Sequence, residues 1–160
     1  MIKVFEAITK ESGNGFKIFL AGGITNCPDW QSDLIAKLRN ITDIDLDIYN
    51  PRRKNFPIND PKASYEQILW EFEKLKNTDM IVFWFSRGSL NPIVLYELGM
   101  WGNSRDTSII VGIDREYERR RDVMIQTNLA RPELPIFGSL ETIFEEIERT
   151  FSKEYEISIG

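Results

Sequence analysis

The chain predicts a single α/β domain, a parallel sheet of about five strands with helices on both faces. Three observations carry that expectation. Short apolar runs with strand character alternate along the chain with amphipathic runs of helical period. The run Met80-Ile-Val-Phe-Trp-Phe85 is apolar at every position, as in a strand buried on both faces. At 160 residues and 42% hydrophobic content, the chain can pack one core and is short for two.

Ile2–Phe5 and Phe16–Leu20 flank a Gly-Asn-Gly turn, so residues 1–15 are a candidate strand extension before the core. Phe16 to Ala21 is a strand ending in Gly22-Gly23. Pro28 to Arg39 follows as a helix with Trp30, Leu34, Ile35 and Leu38 on one face. Leu46 to Tyr49 is a strand closed by Asn50-Pro51-Arg52-Arg53, and Arg52 to Ala63, with two prolines and no helical period, is expected to be a loop. Ser64-Tyr-Glu-Gln67 has the form of a capping box opening a helix that ends near Asn77. The Met80–Phe85 strand comes next, and Asn91-Pro92 supplies an N-cap and first-turn proline for a helix to Gly102. Thr107 to Ile113 is a strand, Asp122 to Leu129 a short helix, and Pro135 to Gly138 a last strand. Ser139 caps a final helix to about Phe151, leaving 152–160 as a frayed tail of the single 1–160 domain.

Composition removes several chemistries. With no histidine and one cysteine, Cys27, the chain cannot assemble the usual His and Cys zinc site, a Ser-His-Asp triad or a Cys-His pair. Acid–base work falls to carboxylates, Tyr or Lys, with no cofactor or metal expected. Cys27 reads as a small packed thiol, or as one with a lowered pKa at a helix start. A formal charge of −5 and a pI near 4.9 argue against nucleic-acid and anionic-membrane partners. No apolar run approaches a bilayer span and the N-terminus lacks a signal pattern, so a cytoplasmic protein is the default expectation.

Glu97 is the only charge in Ile93-Val-Leu-Tyr-Glu-Leu-Gly-Met-Trp101, a helix apolar at every phase and therefore expected to lie in the core. It falls on the second turn, beyond the reach of the helix dipole. Burying an unpaired carboxylate costs several kcal/mol, so such a group is paired, neutralised or kept for chemistry. The competing reading is a glutamate on a narrow exposed stripe. Ligands of open parallel sheets bind beyond the carboxyl ends of the strands, which selects the loops Gly22–Asn26, Asn50–Arg53, Ser86–Asn91 and Asp114–Arg121. Gly22 and Gly23 allow close backbone approach or simply turn the chain, and Ser86-Arg87-Gly88-Ser89 is a candidate anion cradle. Arg52 and Arg53 either grip an anion or are solvated.

Ile18-Phe-Leu-Ala-Gly-Gly-Ile24, Asn50-Pro-Arg-Arg53, the Trp70-Glu71 helix leading to Thr78-Asp79-Met-Ile-Val82, and Tyr96-Glu-Leu-Gly99 resemble, in order and spacing, the nucleoside 2-deoxyribosyltransferase family. The match is nearest to its small nucleoside 2-deoxyribosyltransferase-like branch. The resemblance implies a flavodoxin-like or Rossmann-like fold that cleaves the N-glycosidic bond of a 2′-deoxynucleoside and passes the sugar to another free nucleobase. It implies Glu97 as nucleophile and Glu71 as the acid and base acting on the departing and incoming bases. Two carboxylates in one pocket push their pKa values apart, with Glu97 expected ionised and Glu71 protonated. Phe19, Gly22, Gly23, Asn50, Arg52, Asp79, Ser86, Gly88, Asp122 and Gln126 are the candidate substrate-binding residues. Asp79, where the family carries an aspartate facing the base, has loop geometry as its competing role.

Two departures stand out. Phe19 replaces a first-strand tyrosine whose hydroxyl orients the nucleophile, and Asp122 stands where related transferases offer a neighbouring subunit's asparagine to the sugar, with Gln126 and Asn128 as alternative carboxamides. The family also implies a homo-oligomer built on dimers, in which the Asp114–Leu129 segment approaches a partner's pocket. Beside transfer, two readings stay open. One is hydrolysis of 2′-deoxynucleoside 5′-monophosphates, favoured by Arg52, Arg53, Ser86, Arg87 and Ser89 and disfavoured by Asp122. The other is a nucleotide-binding module without turnover.

Overall fold

The structure is a computed structural model that describes residues 1–41, 43–57 and 59–158. Six strands, β1 (Ile2–Glu6), β2 (Phe16–Gly22), β3 (Leu46–Asn50), β4 (Met80–Phe85), β5 (Ser108–Ile113) and β6 (Ile136–Phe137), form one parallel sheet in the order β1-β3-β2-β4-β5-β6. Numbering β2 to β6 as one to five gives the order 2-1-3-4-5, which is flavodoxin-like, with β1 added at the edge. The strands number six rather than five because Ile2–Glu6 pairs along the whole of β3. The Gly13-Asn14-Gly15 bend does not make a hairpin, since β3 lies between β1 and β2. Its glycine serves packing instead. A Cβ on Gly15 would sit 2.6 Å from the Asp45 carbonyl oxygen, and the Gly15 amide donates to Asp47 Oδ2 at 2.9 Å.

Among the described residues five helices cover the sheet: α1 (Trp30–Leu38), α2 (Pro61–Lys76), α3 (Pro92–Trp101), α4 (Arg120–Ala130) and α5 (Leu140–Ser158). Alternation along the strands divides the core in two. Ile18, Leu20, Ile48, Val82 and Trp84 pack under α1 and α5 against Trp30, Leu34, Leu38, Ile143 and Ile147. Phe19, Ala21, Tyr49, Phe83 and Phe85 pack under α2, α3 and α4 against Trp70, Leu75, Val94 and Val123. Burying one such side chain is worth about 1.5–3 kcal/mol.

Local chemistry moves some boundaries. α1 starts at Trp30, where Asp29 caps it by accepting from the Ser32 amide. α2 starts at Pro61, with Asp60 accepting from the Lys62 amide, so Ser64 lies in the first turn and the loop after β3 ends three residues earlier than expected. An Asp-Pro start takes the place of the Ser64 capping box and leaves the Gln67 side chain for other work. α5 is helical to Ser158 rather than Phe151, so most of the expected tail is helix. Ile58 of the expected loop and residues 159–160 of the expected tail lie outside the described residues.

Candidate active site

The direction of the chain reverses between β2 and β4. β2 leads to β3 on one side, and β3 leads back across β2 to β4. That is the switch point at which open α/β sheets bind ligands. A cleft of about 410 Å³ opens there, with Ala21, Gly22, Gly23 and Thr25 from the end of β2 and Ser89, Asn91 and Val94 beyond β4 among its walls. Phe19, Pro51, Glu71 and Glu97 complete its chemistry.

Close packing shapes the floor. A Cβ on Gly22 would meet the Trp30 ring at 2.3 Å, and one on Gly23 would meet Asn91 Oδ1 at 1.6 Å. The two glycines are therefore needed for space as well as for turning. Asn91 precedes Pro92 in the left-handed region, at φ 49° and ψ 53°, which asparagine tolerates better than most residues. It occupies the N-cap position of α3, but its side chain does not cap the helix. The carboxamide instead donates to the carbonyls of Ser86 (2.9 Å) and Ser89 (2.8 Å) and accepts from Cys27 Sγ at 3.4 Å, closing the loop beneath the cleft. Burial raises the Cys27 thiol pKa, against smaller opposing effects of a Ser86 hydrogen bond and the Arg52 charge.

Helical spacing aims both carboxylates inward. Val94, Glu97, Leu98 and Trp101 share the face of α3 turned to the sheet, whereas Ile93 (64% exposed), Tyr96 (67%) and Met100 face away. α3 is thus not the fully enclosed core helix its composition implies. Val94 is its one buried residue, and its outer apolar side is bare in the single chain. Glu71 lies one turn after Gln67 on the inner side of α2. Gln67 Nε2 donates to Glu71 Oε1 at 2.6 Å and to the Pro51 carbonyl at 2.8 Å. Phe19, 1% exposed, packs its ring 6.1 Å from that of Trp70 and has no polar atom to offer either carboxylate.

The electrostatics of the pair are unequal. Burial, and then the neighbouring charge of Glu71, push the Glu97 pKa up to about 8. Burial also raises Glu71, but the Gln67 hydrogen bond stabilises its ionised form and opposes the rise. Both carboxyls are thus held above their ordinary range by burial, with the Gln67 hydrogen bond acting against the rise at Glu71 alone.

Some of the other candidates are placed elsewhere. Asp79 sits at the amino end of β4, accepting from the Lys17 amide at 2.8 Å, across the sheet from the cleft. That bond ties the start of β4 to the start of β2. Arg52 is committed to α1 through Gln31 Oε1 (2.9 Å), the Pro28 carbonyl (2.9 Å) and Asp29 Oδ1 (3.1 Å). Asn50 is buried and accepts from the Arg52 amide. Ser86 and Gly88 shape the loop behind the cleft, with Gly88 at φ 87°, and Arg87 pairs with Glu116. Asp122 and Gln126 line a second cleft of about 540 Å³ between α3 and α4, where Asp122 pairs with Arg119 at 2.7 Å. That cleft is the larger and is walled by Leu90, Leu95, Leu98, Val123 and Leu134, while its Arg131 is held by the Gly102 and Ser104 carbonyls and Glu133. Its one carboxylate, Asp122, is paired with Arg119, whereas the smaller cleft brings Glu71 and Glu97 together.

Gln67, Thr25 and Asn91 escaped sequence reasoning as site residues, whereas Ser89, read as part of an anion cradle, does line the cleft. The four-residue spacing of Gln67 and Glu71 was a signal for the first.

The parallel sheet of order 2-1-3-4-5, with two carboxylates in the cleft at its switch point, places the chain in the flavodoxin-like class of α/β proteins. The chain matches the nucleoside 2-deoxyribosyltransferase-like family over residues 15–117 and belongs to that family. The matched stretch contains Phe19, Glu71 and Glu97, while Asp122 and Gln126 fall beyond it. No curated protein matches the chain.

Proposed function

We propose that the protein cleaves the N-glycosidic bond of 2′-deoxynucleosides and transfers the deoxyribosyl group to another nucleobase through a glycosyl ester on Glu97. The observation that carries this reading is the meeting of Glu97 and Glu71, from separate helices, in one cleft, where the charge of Glu71 acts on Glu97. In the first step a Glu97 oxygen bonds to C1′ as the C1′–N bond breaks, and Glu71 gives its proton to the base nitrogen that takes the bonding pair. In the second, a nitrogen of the incoming base displaces the Glu97 oxygen and surrenders its proton to Glu71. The reaction needs Glu97 ionised, and positive charge developing at C1′ favours that form more strongly than water does.

Hydrolysis of 5′-monophosphates has weaker support, since Arg52 and Arg87 are engaged in ion pairs and do not line the cleft. Incubation with a deoxynucleoside and a different free base, followed by chromatography, tests the proposal. A new nucleoside supports it, free base with deoxyribose indicates hydrolysis, and no turnover refutes both. Assembly belongs to the same reading. The protein forms a homo-oligomer built on a dimer in which residues 114–129 bring Asp122 and Gln126 toward a partner's cleft. The bare apolar side of α2, α3 and α4 supports this. A monomeric mass by light scattering at micromolar concentration refutes it.

A further inference from the structure

Gln67 is buried, and its side chain is asymmetrically satisfied. Both Nε2 hydrogens are used, on the Pro51 carbonyl and on Glu71 Oε1, while Oε1 of Gln67 is buried without a partner. A carbonyl only accepts, so Pro51 decides which way the amide faces; the flipped amide would set two oxygens against each other. The fold tolerates an orphan acceptor in order to present an N–H to Glu71. Since Glu71 Oε1 is thereby held as an acceptor, a proton on Glu71 belongs to Oε2.

We propose that Gln67 is a positioning residue that locks Glu71 Oε1 as a permanent acceptor and leaves Oε2 as the atom that gives and recovers the proton of the base. The proposal rests on the transfer reading above for its chemistry. Its geometry stands without that reading. At bond breaking the Oε2–H pair stays on Oε2 as the proton passes to the base nitrogen, and the two Nε2 bonds hold the carboxylate in place. The groups around Glu71 divide simply: Glu97 faces it from α3, the Pro51 carbonyl acts through Gln67 from the loop after β3, and Phe19 on β2 is apolar. Gln67 is thus the neighbour that favours the ionised form of Glu71, and the charge so kept on Glu71 raises the proton affinity of Glu97.

The test is a carboxyl-carbon NMR titration of ligand-free wild type and Gln67→Met, with glutamate side chains labelled and Glu71 and Glu97 assigned by substitution. Methionine keeps length and volume and removes both N–H groups. The Glu71 midpoint should rise by about one pH unit in Gln67→Met, the shift expected from losing one hydrogen bond to a charged group, and the Glu97 midpoint should fall. An unmoved Glu71 midpoint in the folded variant overturns the proposal. Should Gln67→Met not fold, the side-chain amide resonances of wild-type Gln67 decide. They should shift as Glu71 titrates, and a flat response overturns it equally. Neither measurement needs turnover. Absence of base exchange in wild type would therefore defeat the transfer reading while leaving the lock on Glu71 to stand or fall by itself.

Discussion

The two faces of the sheet carry similar strands and opposite helices. On one face α1 and α5 bury Trp30, Leu34, Leu38, Ile143 and Ile147 almost completely. On the other, α2, α3 and α4 leave Tyr65, Ile68, Leu69, Phe72, Ile93, Leu95, Tyr96, Met100, Ile125 and Leu129 exposed. Both carboxylates and both clefts belong to this second face. The first face is finished by the chain itself. The second has inner surfaces devoted to the fold and a site, and an outer surface lined with exposed apolar side chains.

The largest effect should come from the second face. Glu97→Ala removes the group that meets charge at C1′, and base exchange should fall by at least about a thousandfold while the melting temperature stays at or above the wild-type value. Activity near wild type would end the nucleophile assignment. On the first face the loss should be of stability instead. Leu34→Ala should cost about 2–5 kcal/mol in urea unfolding, whereas Leu129→Ala, at a side chain 78% exposed, should cost under about 0.5 kcal/mol in the isolated chain. Equal costs would erase the contrast. Tyr96→Glu should leave the fold intact and lower the molar mass in solution, because it places a charge on the outer surface of α3.

A pH dependence follows from Glu97. Its pKa in the folded protein, about 8, lies above the ordinary 4.5, so the native state binds this proton more tightly than the unfolded chain does. The resulting stability is fully present below pH 4.5 and is lost as pH rises through 8. The melting temperature should fall over that window, and Glu97→Gln should flatten the fall. The free-enzyme rate should move the other way, rising toward pH 8 as the nucleophile ionises. The smallest effect is expected from Phe19→Tyr. A hydroxyl within reach of Glu97 would stabilise its charge, and transfer should speed up several-fold with the same deoxynucleoside. An unchanged rate would mean that this protein positions its nucleophile by other means.

How much of this was legible in the sequence differs between the faces. β4, apolar at all six positions, and the α1 stripe of Trp30, Leu34 and Leu38 could be read directly because burial on the first face matches hydrophobicity residue by residue. α3 misled for the reverse reason. Apolar side chains left exposed look, in one dimension, like core. Glu97 nevertheless stood out as a lone charge among apolar neighbours, and its place in the cleft favours the inward-facing reading over the exposed stripe. Asp79 was legible by position, one residue before the Met80–Phe85 strand and so at its amino end, but its hydrogen bond to the Lys17 amide needs the pairing of β2 with β4. The pairing of β1 with β3 was hidden because a turn signal between neighbouring strands does not reveal a third strand inserted between them.

The cleft opens on the second face at the ends of the strands, and an indole approaches it from each side of the sheet. Trp30, from the enclosed face, donates its Nε1 hydrogen to the Gly23 carbonyl at 3.1 Å, and Trp70, from the open face, packs on Phe19. Gly23 and Phe19 both line the cleft. A ligand seated there alters the surroundings of two fluorophores on opposite sides of the sheet, so the protein carries its own optical gauge of occupancy, readable by tryptophan emission without a label and without chemistry taking place.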